Sequence, residues 1–184
     1  MKRVYLIRHG LPDFPEGERM CLGATDLPMG AAGLAQAAQM AQALPPVTAV
    51  FSSPLTRAVQ TAQAIGLPVT VLQGLRELSF GQWDGLTFRQ IRRQYPQLYA
   101  ARAEDPTLPM PEQEPPEAGL ARFQEAMNEA AKRSPGDFAV VAHGGILSLF
   151  LESIGAGRYK PGYAEVLSLI WKDGLFYTKD PVLP

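Results

Sequence analysis

The chain has only two histidines, and each stands where an apolar run meets glycine: His9 in "VYLIRHG" and His143 in "VVAHGG". A neutral imidazole is a nucleophile or general base, and a protonated one is a partner for anions. Arg8 directly precedes His9, Arg57 lies in "SSPLTRAVQTA", and Glu77 lies in "LRELSFGQWDG". Two guanidiniums, two imidazoles and a carboxyl can hold an anion and keep a proton available for donation. A lone histidine is more often structural, but two in matching contexts point to one shared site. Gly10 and Gly144, which follow them, permit close approach of backbone to a ligand.

Arg57 and Glu77 each carry two readings. Ser53 is expected to cap a helix and Pro54 to be its first residue, which puts Arg57 near the helix start. A cation there opposes the macrodipole unless an anion is present to be held by Arg57 and the helix terminus. The other reading is an arginine pointing into solvent. Glu77, between Leu75 and Leu78, is a proton donor if apolar surroundings and a neighbouring anion raise its pKa. Otherwise it simply pairs with Arg76.

The elements that must position these residues can be read from the apolar pattern. "VYLI", "AVFSS" (49–53), "VTVL" (69–72), "FAVVAH" (138–143) and "LSLIW" (167–171) are continuous apolar runs rich in β-branched residues. Such runs suit strands covered on both faces, as in a mostly parallel sheet. Helical patterns over 33–44, 54–65, 117–133 and 146–155 lie between them, so the expected fold is a three-layer α/β/α sandwich with a mostly parallel central sheet. Asp173-Gly174 suggests a closing antiparallel hairpin. In such a sheet ligands bind outside the carboxyl ends of the strands, where His9 and His143 both fall. Residues 104–119, rich in proline and acidic side chains, form either an exposed loop or a flap over the site.

Composition limits the rest. With 184 residues, 46% hydrophobic and 19% charged, the chain reads as one globular domain spanning 1–184. A net charge of −1 argues against a nucleic-acid or anionic-membrane surface. Cys21 alone excludes an internal disulfide and a multi-cysteine zinc site, and it is read as a small buried or loop residue. The N-terminal apolar run is too short for a signal peptide and no stretch approaches a membrane span, so a cytoplasmic location is expected. A homodimer stays open.

In this order, "RHG", "SSPLTRAVQTA", "LRELSFGQWDG" and "VVAHGG" resemble the histidine phosphatase superfamily, the phosphoglycerate-mutase-like phosphatases. The resemblance runs from about residue 3 to about residue 155. "CLGATDLPMGAAGLAQA" (21–37) is similar to the α-ribazole phosphatase branch and related small phosphatases. The resemblance implies a metal-independent phosphomonoesterase without a cofactor. His9 would be the nucleophile that forms a phosphohistidine. Arg8, Arg57, His143 and Gly144 would bind the phosphoryl group. His143 and Glu77 would complete the catalytic set, Glu77 as acid and then base. The implied substrate is a small organic phosphomonoester, with α-ribazole 5′-phosphate as the named candidate.

Three alternatives are weighed against it. A phosphoglycerate-type mutase is disfavoured because Leu78 and Phe80 stand where family mutases have Arg and Tyr. Arg89, Arg92 and Arg93 could greet a second phosphate but are read as a solvated helix face. An inert phosphate-ester binder is disfavoured because every catalytic part is present. A metal-dependent hydrolase using His9 and His143 needs carboxylate ligands that the motifs do not place nearby. Two departures from the family pattern concern the site's margins. Leu11, Pro12, Asp13, Phe14 and Pro15 follow the RHG, and "EAGL" (117–120) keeps only Leu120 of the usual Gly-Glu-Ser-Leu.

Overall fold

A computed structural model describes residues 1–178. Its strands are β1 (Lys2–Arg8), β2 (Ala49–Ser52), β3 (Val69–Val71), β4 (Phe138–Ala142), β5 (Val166–Lys172) and β6 (Leu175–Thr178). Its helices are α1 (Ala31–Ala43), α2 (Thr56–Gln63), α3 (Phe88–Gln94), α4 (Pro96–Glu104), α5 (Pro116–Arg133) and α6 (Gly144–Ser153). The strands form one sheet in the order β3-β2-β4-β1-β5-β6, with β1 to β4 mutually parallel, β5 antiparallel to β1 and β6 antiparallel to β5. The hairpin turns at Asp173 and Gly174, both at positive φ (53° and 83°), as a two-residue turn of this kind requires.

Period-two alternation sorts the central strands between two cores. Val4, Leu6, Phe138 and Val140 pack with Phe123 and Met127 of α5 and with Ile146 and Phe150 of α6. Tyr5, Ile7, Ala139 and Val141 face the other way, onto Met40 of α1 and Ala58 and Ala62 of α2. Every residue of β4 is buried, so this strand must be apolar on both faces and can offer polar groups only at its end. The outgoing connections of β1 and β4 run to opposite sides of the sheet, which puts the topological switch point between them.

Between β3 and α5 the chain builds a cap. Gly81–Trp83 forms a 3-10 turn, α3 and α4 follow, and Trp83, Ile91 and Met110 make a small core with Tyr95, Leu98 and Tyr99 packed on it. Thr87 and Gln90 close a capping box at the start of α3, and Pro96 is tolerated as the first residue of α4. The proline-rich segment is shorter than expected, because Pro116 already begins α5. It is also pinned rather than loose. Met110 is buried, Gln82 N donates to Pro111 O at 2.9 Å, and Arg122 Nη2 meets Glu114 Oε2 at 2.7 Å. Residues 105–115 are therefore an irregular, partly exposed segment anchored to the cap through Met110, Pro111 and Glu114. Among the described residues no helix is long and apolar enough to cross a membrane.

Candidate active site

Parallel register puts the two histidines side by side. Arg8 is level with Ala142, and the next residue on each strand is a histidine; His9 N donates to Ala142 O at 3.0 Å. The imidazole centroids are 5.0 Å apart. On the far side of β4, Ser52 is level with Val141, so Ser53 falls level with Ala142, one residue short of His143, and meets His143 Nε2 at 2.7 Å through its Oγ.

His9 is held in one tautomer. Its Nδ1 lies 2.7 Å from Gly10 O, an acceptor, so Nδ1 carries the hydrogen and Nε2 keeps the lone pair. Burial and then the Arg57 charge, with a smaller contribution from Arg8, depress its pKa to about 3, so the ring is neutral at ordinary pH. His143 is fully buried, and its pKa is likewise pushed far down, by burial first and then by His9, Arg57 and Arg8.

Arg8 donates from Nη1 to Pro161 O at 2.7 Å and lies over the Tyr163 ring, 3.9 Å from its centroid. Arg57 is 0% exposed, so the solvent-pointing reading is excluded. Its Nη1 and Nη2 donate to Thr25 O (2.8 Å) and Gly23 O (3.1 Å). Three atoms of this cluster, Arg8 Nε, Arg57 Nε and His143 Nδ1, are buried without a hydrogen-bond partner in the protein. Buried donors normally have partners, and orphans gathered around a neutral imidazole fit a set of donors for a bound oxyanion.

The start of α2 departs from the expected cap. The helix begins at Thr56, with Leu55 at the N-cap and no capping bond from its own flank. The cap function comes from Asp26, which accepts Thr56 N at 2.8 Å and Thr56 Oγ1 at 2.7 Å. Ser53, freed from capping, serves His143 instead.

Glu77 is buried, and Arg76 turns away from it to Glu114 (3.5 Å), so the simple pairing of neighbours is excluded. Its surroundings are not purely apolar either. Gly145 N donates to Oε2 (2.8 Å), while Ile146 N (2.8 Å) and Leu78 N (3.0 Å) donate to Oε1. The carboxylate thus sits on the first turn of α6, where unpaired N–H groups point outward. Gly145 leaves room for this, since a Cβ there would lie 2.9 Å from Glu77 Oε1. Gly144 makes room for the Arg8 guanidinium, a Cβ there falling 3.1 Å from Arg8 Nε.

Arg8, His9, Glu77 and Gly144 line a cleft of about 520 Å³ between the sheet edge and the cap, and Arg57 and His143 are buried beneath it. The predicted residues are therefore brought together. Tyr163, Lys160, Asp26 and the His143 role of Ser53 were not anticipated. Tyr163 and Lys160 lie in an irregular loop with no period to betray them, and the Asp26 cap pairs residues 30 apart in sequence. Arg89, Arg92 and Arg93 are exposed, and Arg89 pairs with Glu18 at 2.9 Å. Among the described residues no group of three or more His, Cys, Asp or Glu is arranged to hold a metal ion.

Residues 4–165 match the model of the histidine phosphatase superfamily (branch 1). The chain belongs to the histidine phosphatase superfamily. A relative from Hydrogenobacter thermophilus, provisionally named phosphoserine phosphatase 2, is 30% identical over 154 residues, covering 80% of this chain and 75% of its own. The structure of the mycobacterial glucosyl-3-phosphoglycerate phosphatase in complex with VO3 superposes with a TM-score of 0.80 at 29% identity, covering 92% of this chain and 93% of that one. The α-ribazole phosphatase of Shigella flexneri shares the fold, with a TM-score of 0.81 at 22% identity over 96% of this chain and 94% of that one. This histidine phosphatase is thus similar to enzymes named for quite different phosphate esters, and it is a phosphatase by family.

Proposed function

We propose that the protein hydrolyses small organic phosphomonoesters, without a metal ion, through a phosphohistidine on His9. The observation that carries this reading is the His9 ring itself: neutral, with Nδ1–H donated to Gly10 O and the Nε2 lone pair uncommitted, beside two arginines. Nε2 attacks phosphorus as the P–O bond to the alcohol breaks in line. Arg8, Arg57, His143 Nδ1 and the backbone around Gly144 take the charge spread over the phosphoryl oxygens. Glu77 gives its proton to the departing alkoxide. As a carboxylate it then takes a proton from the water that attacks the phosphohistidine, which releases inorganic phosphate and restores His9.

Support for hydrolysis over a mutase reaction comes from the acid's neighbours. Leu78 is buried against Gly119, and Phe80 offers an apolar surface to the cleft, so neither supplies a donor for a second phosphate. α-Ribazole 5′-phosphate is the first named substrate to assay, its flat base suiting the aromatic wall of the cap.

The test is turnover of p-nitrophenyl phosphate in EDTA by wild type and His9→Ala, with rapid-quench trapping of labelled enzyme. Acid-labile label on wild type alone is the expected result. EDTA-sensitive turnover, or label retained in His9→Ala, overturns the mechanism. An α-ribazole 5′-phosphate rate no higher than the aryl ester's removes that substrate.

A further inference from the structure

The cleft is larger than the phosphoryl end requires, and its far part has a character of its own. Phe14, Met20, Phe80, Trp83, Phe88 and Met110 make it apolar and largely aromatic. Three cations beyond those of the phosphoryl end also line it: Arg19, Lys160 and Arg102. Arg19 and Lys160 are exposed, where solvent screens them, and Lys160 approaches Gly144 and Arg8 at the phosphoryl end. Arg102 differs. It is half-buried on α4, with its guanidinium 5.6 Å from the centre of the Trp83 ring.

Among the described residues no acidic group pairs directly with Arg102, although Asp105 attracts it from a distance. Among the described residues it has neither an ion pair nor a hydrogen bond. Of the acids that follow it, Glu104 is exposed and forms no ion pair with it, and Asp105 is exposed and turned to Thr107, accepting its N–H at 2.9 Å and its hydroxyl at 2.5 Å. The Cys21 thiol, the other group that acts on Arg102 electrostatically, has its pKa pushed up to about 12 by burial and then by Asp84 and Glu77, so it is uncharged. A guanidinium within cation–π reach of an indole, with its N–H donors unpaired by protein, is suited to binding a carboxylate while the ring supports a flat body.

We infer that Arg102 and Trp83 form a distal subsite for an alcohol half that carries a planar apolar body ending in a carboxylate. The inference rests on the phosphomonoesterase reading above and adds the class of ester. The phosphate is held at the sheet edge, the ring lies along the aromatic wall, and the carboxylate meets Arg102 on the cap. A neutral nucleoside phosphate such as α-ribazole 5′-phosphate leaves Arg102 unpaired and is the poorer substrate.

The experiment compares kcat/KM for the phosphate esters of 4-hydroxybenzoate, 4-hydroxyphenylacetate and 3-(4-hydroxyphenyl)propanoate with their carboxamides, in wild type and Arg102→Gln. The three tethers sample the span between the subsites, and each acid-to-amide ratio is internal to one enzyme, so a general loss of activity does not move it. At least one tether is expected to favour the acid by about tenfold in wild type, the value of one charge-assisted pair. That preference collapses to below about twofold in Arg102→Gln. Three flat ratios, or a preference that survives Arg102→Gln, overturns the distal subsite. Failure with all six esters while p-nitrophenyl phosphate is hydrolysed overturns it alone, whereas failure with p-nitrophenyl phosphate as well overturns the phosphatase mechanism first.

Discussion

Ser53 Oγ and His143 Nε2 lie 2.7 Å apart, and the direction of that hydrogen bond determines what His143 can do. Ser53 Oγ accepts Leu55 N at 3.3 Å and still has its own hydrogen and a second lone pair. The proposed role of His143 as a donor to the phosphoryl group requires that this hydrogen go to the imidazole. His143 then carries its proton on Nδ1, the atom left without a protein partner. Ser53 is thus a positioning residue that makes a neutral histidine into a donor. Ser53→Ala is expected to lower kcat by about 10- to 100-fold, the loss of one misoriented oxyanion donor. Long-range nitrogen–proton NMR should show the His143 tautomers becoming mixed. Ser53→Thr keeps the hydroxyl and should restore both rate and tautomer; unchanged tautomers in Ser53→Ala refute the role.

The acid can be probed through the leaving group. Glu77→Gln keeps the shape but brings no proton, and it is expected to cost about 10²- to 10⁴-fold in kcat on an alkyl phosphate. p-Nitrophenolate leaves with little help, so the loss in kcat/KM on its ester, which reports only the transfer to His9 and not the later attack of water, should be far smaller. Equal losses on both esters would show that Glu77 serves something other than leaving-group protonation.

Gly145 tests the seat of that acid. A Cβ there meets both Glu77 oxygens, at 2.9 and 3.1 Å, and must displace the carboxylate. Misplacement by up to an ångström costs as much as about 100-fold. Gly145→Ala should therefore lower kcat toward the Glu77→Gln value on alkyl esters while changing the melting temperature little.

Acid should weaken the fold through the buried histidines. The folded pKa of His9 is depressed to about 3, against about 6.5 when unfolded, and that of His143 moves the same way. Below about pH 6.5 the unfolded chain therefore binds protons that the folded chain refuses. The His9 contribution is intact above that pH and is lost as pH falls toward 3, by about 1.4 kcal/mol per pH unit, and His143 acts in the same direction. Urea titrations at pH 7.5, 6 and 5 should show this decline, and His9→Gln should remove one proton's worth of the slope. Equal slopes in the two proteins would contradict a buried neutral His9.

What sequence reveals here, and what it hides, follows from how local each signal is. β1 and β4 are legible because a strand buried on both faces must be apolar throughout, so the first polar residues after it, Arg8-His9 and His143, stand out. Arg57 is legible as part of a motif, but its helix start is not, because the cap comes from Asp26 in a distant segment. The surroundings of Glu77 are misread for the same reason: its three donors include Gly145 and Ile146, which nothing near residue 77 foretells. Tyr163 under Arg8 and the cap helix α4, whose hydrophobic pattern is weak, depend on tertiary contacts alone.

Glu77 rests on the first turn of α6, the helix that His143 introduces. In the proposed mechanism, proton delivery and phosphoryl binding share one mount at the sheet edge, and contact with the leaving group falls mostly to the cap, with Phe14 and Met20 from the segment after β1. Grafting another relative's segment 83–110 onto this sheet should exchange its preferred ester while leaving the chemical step in place.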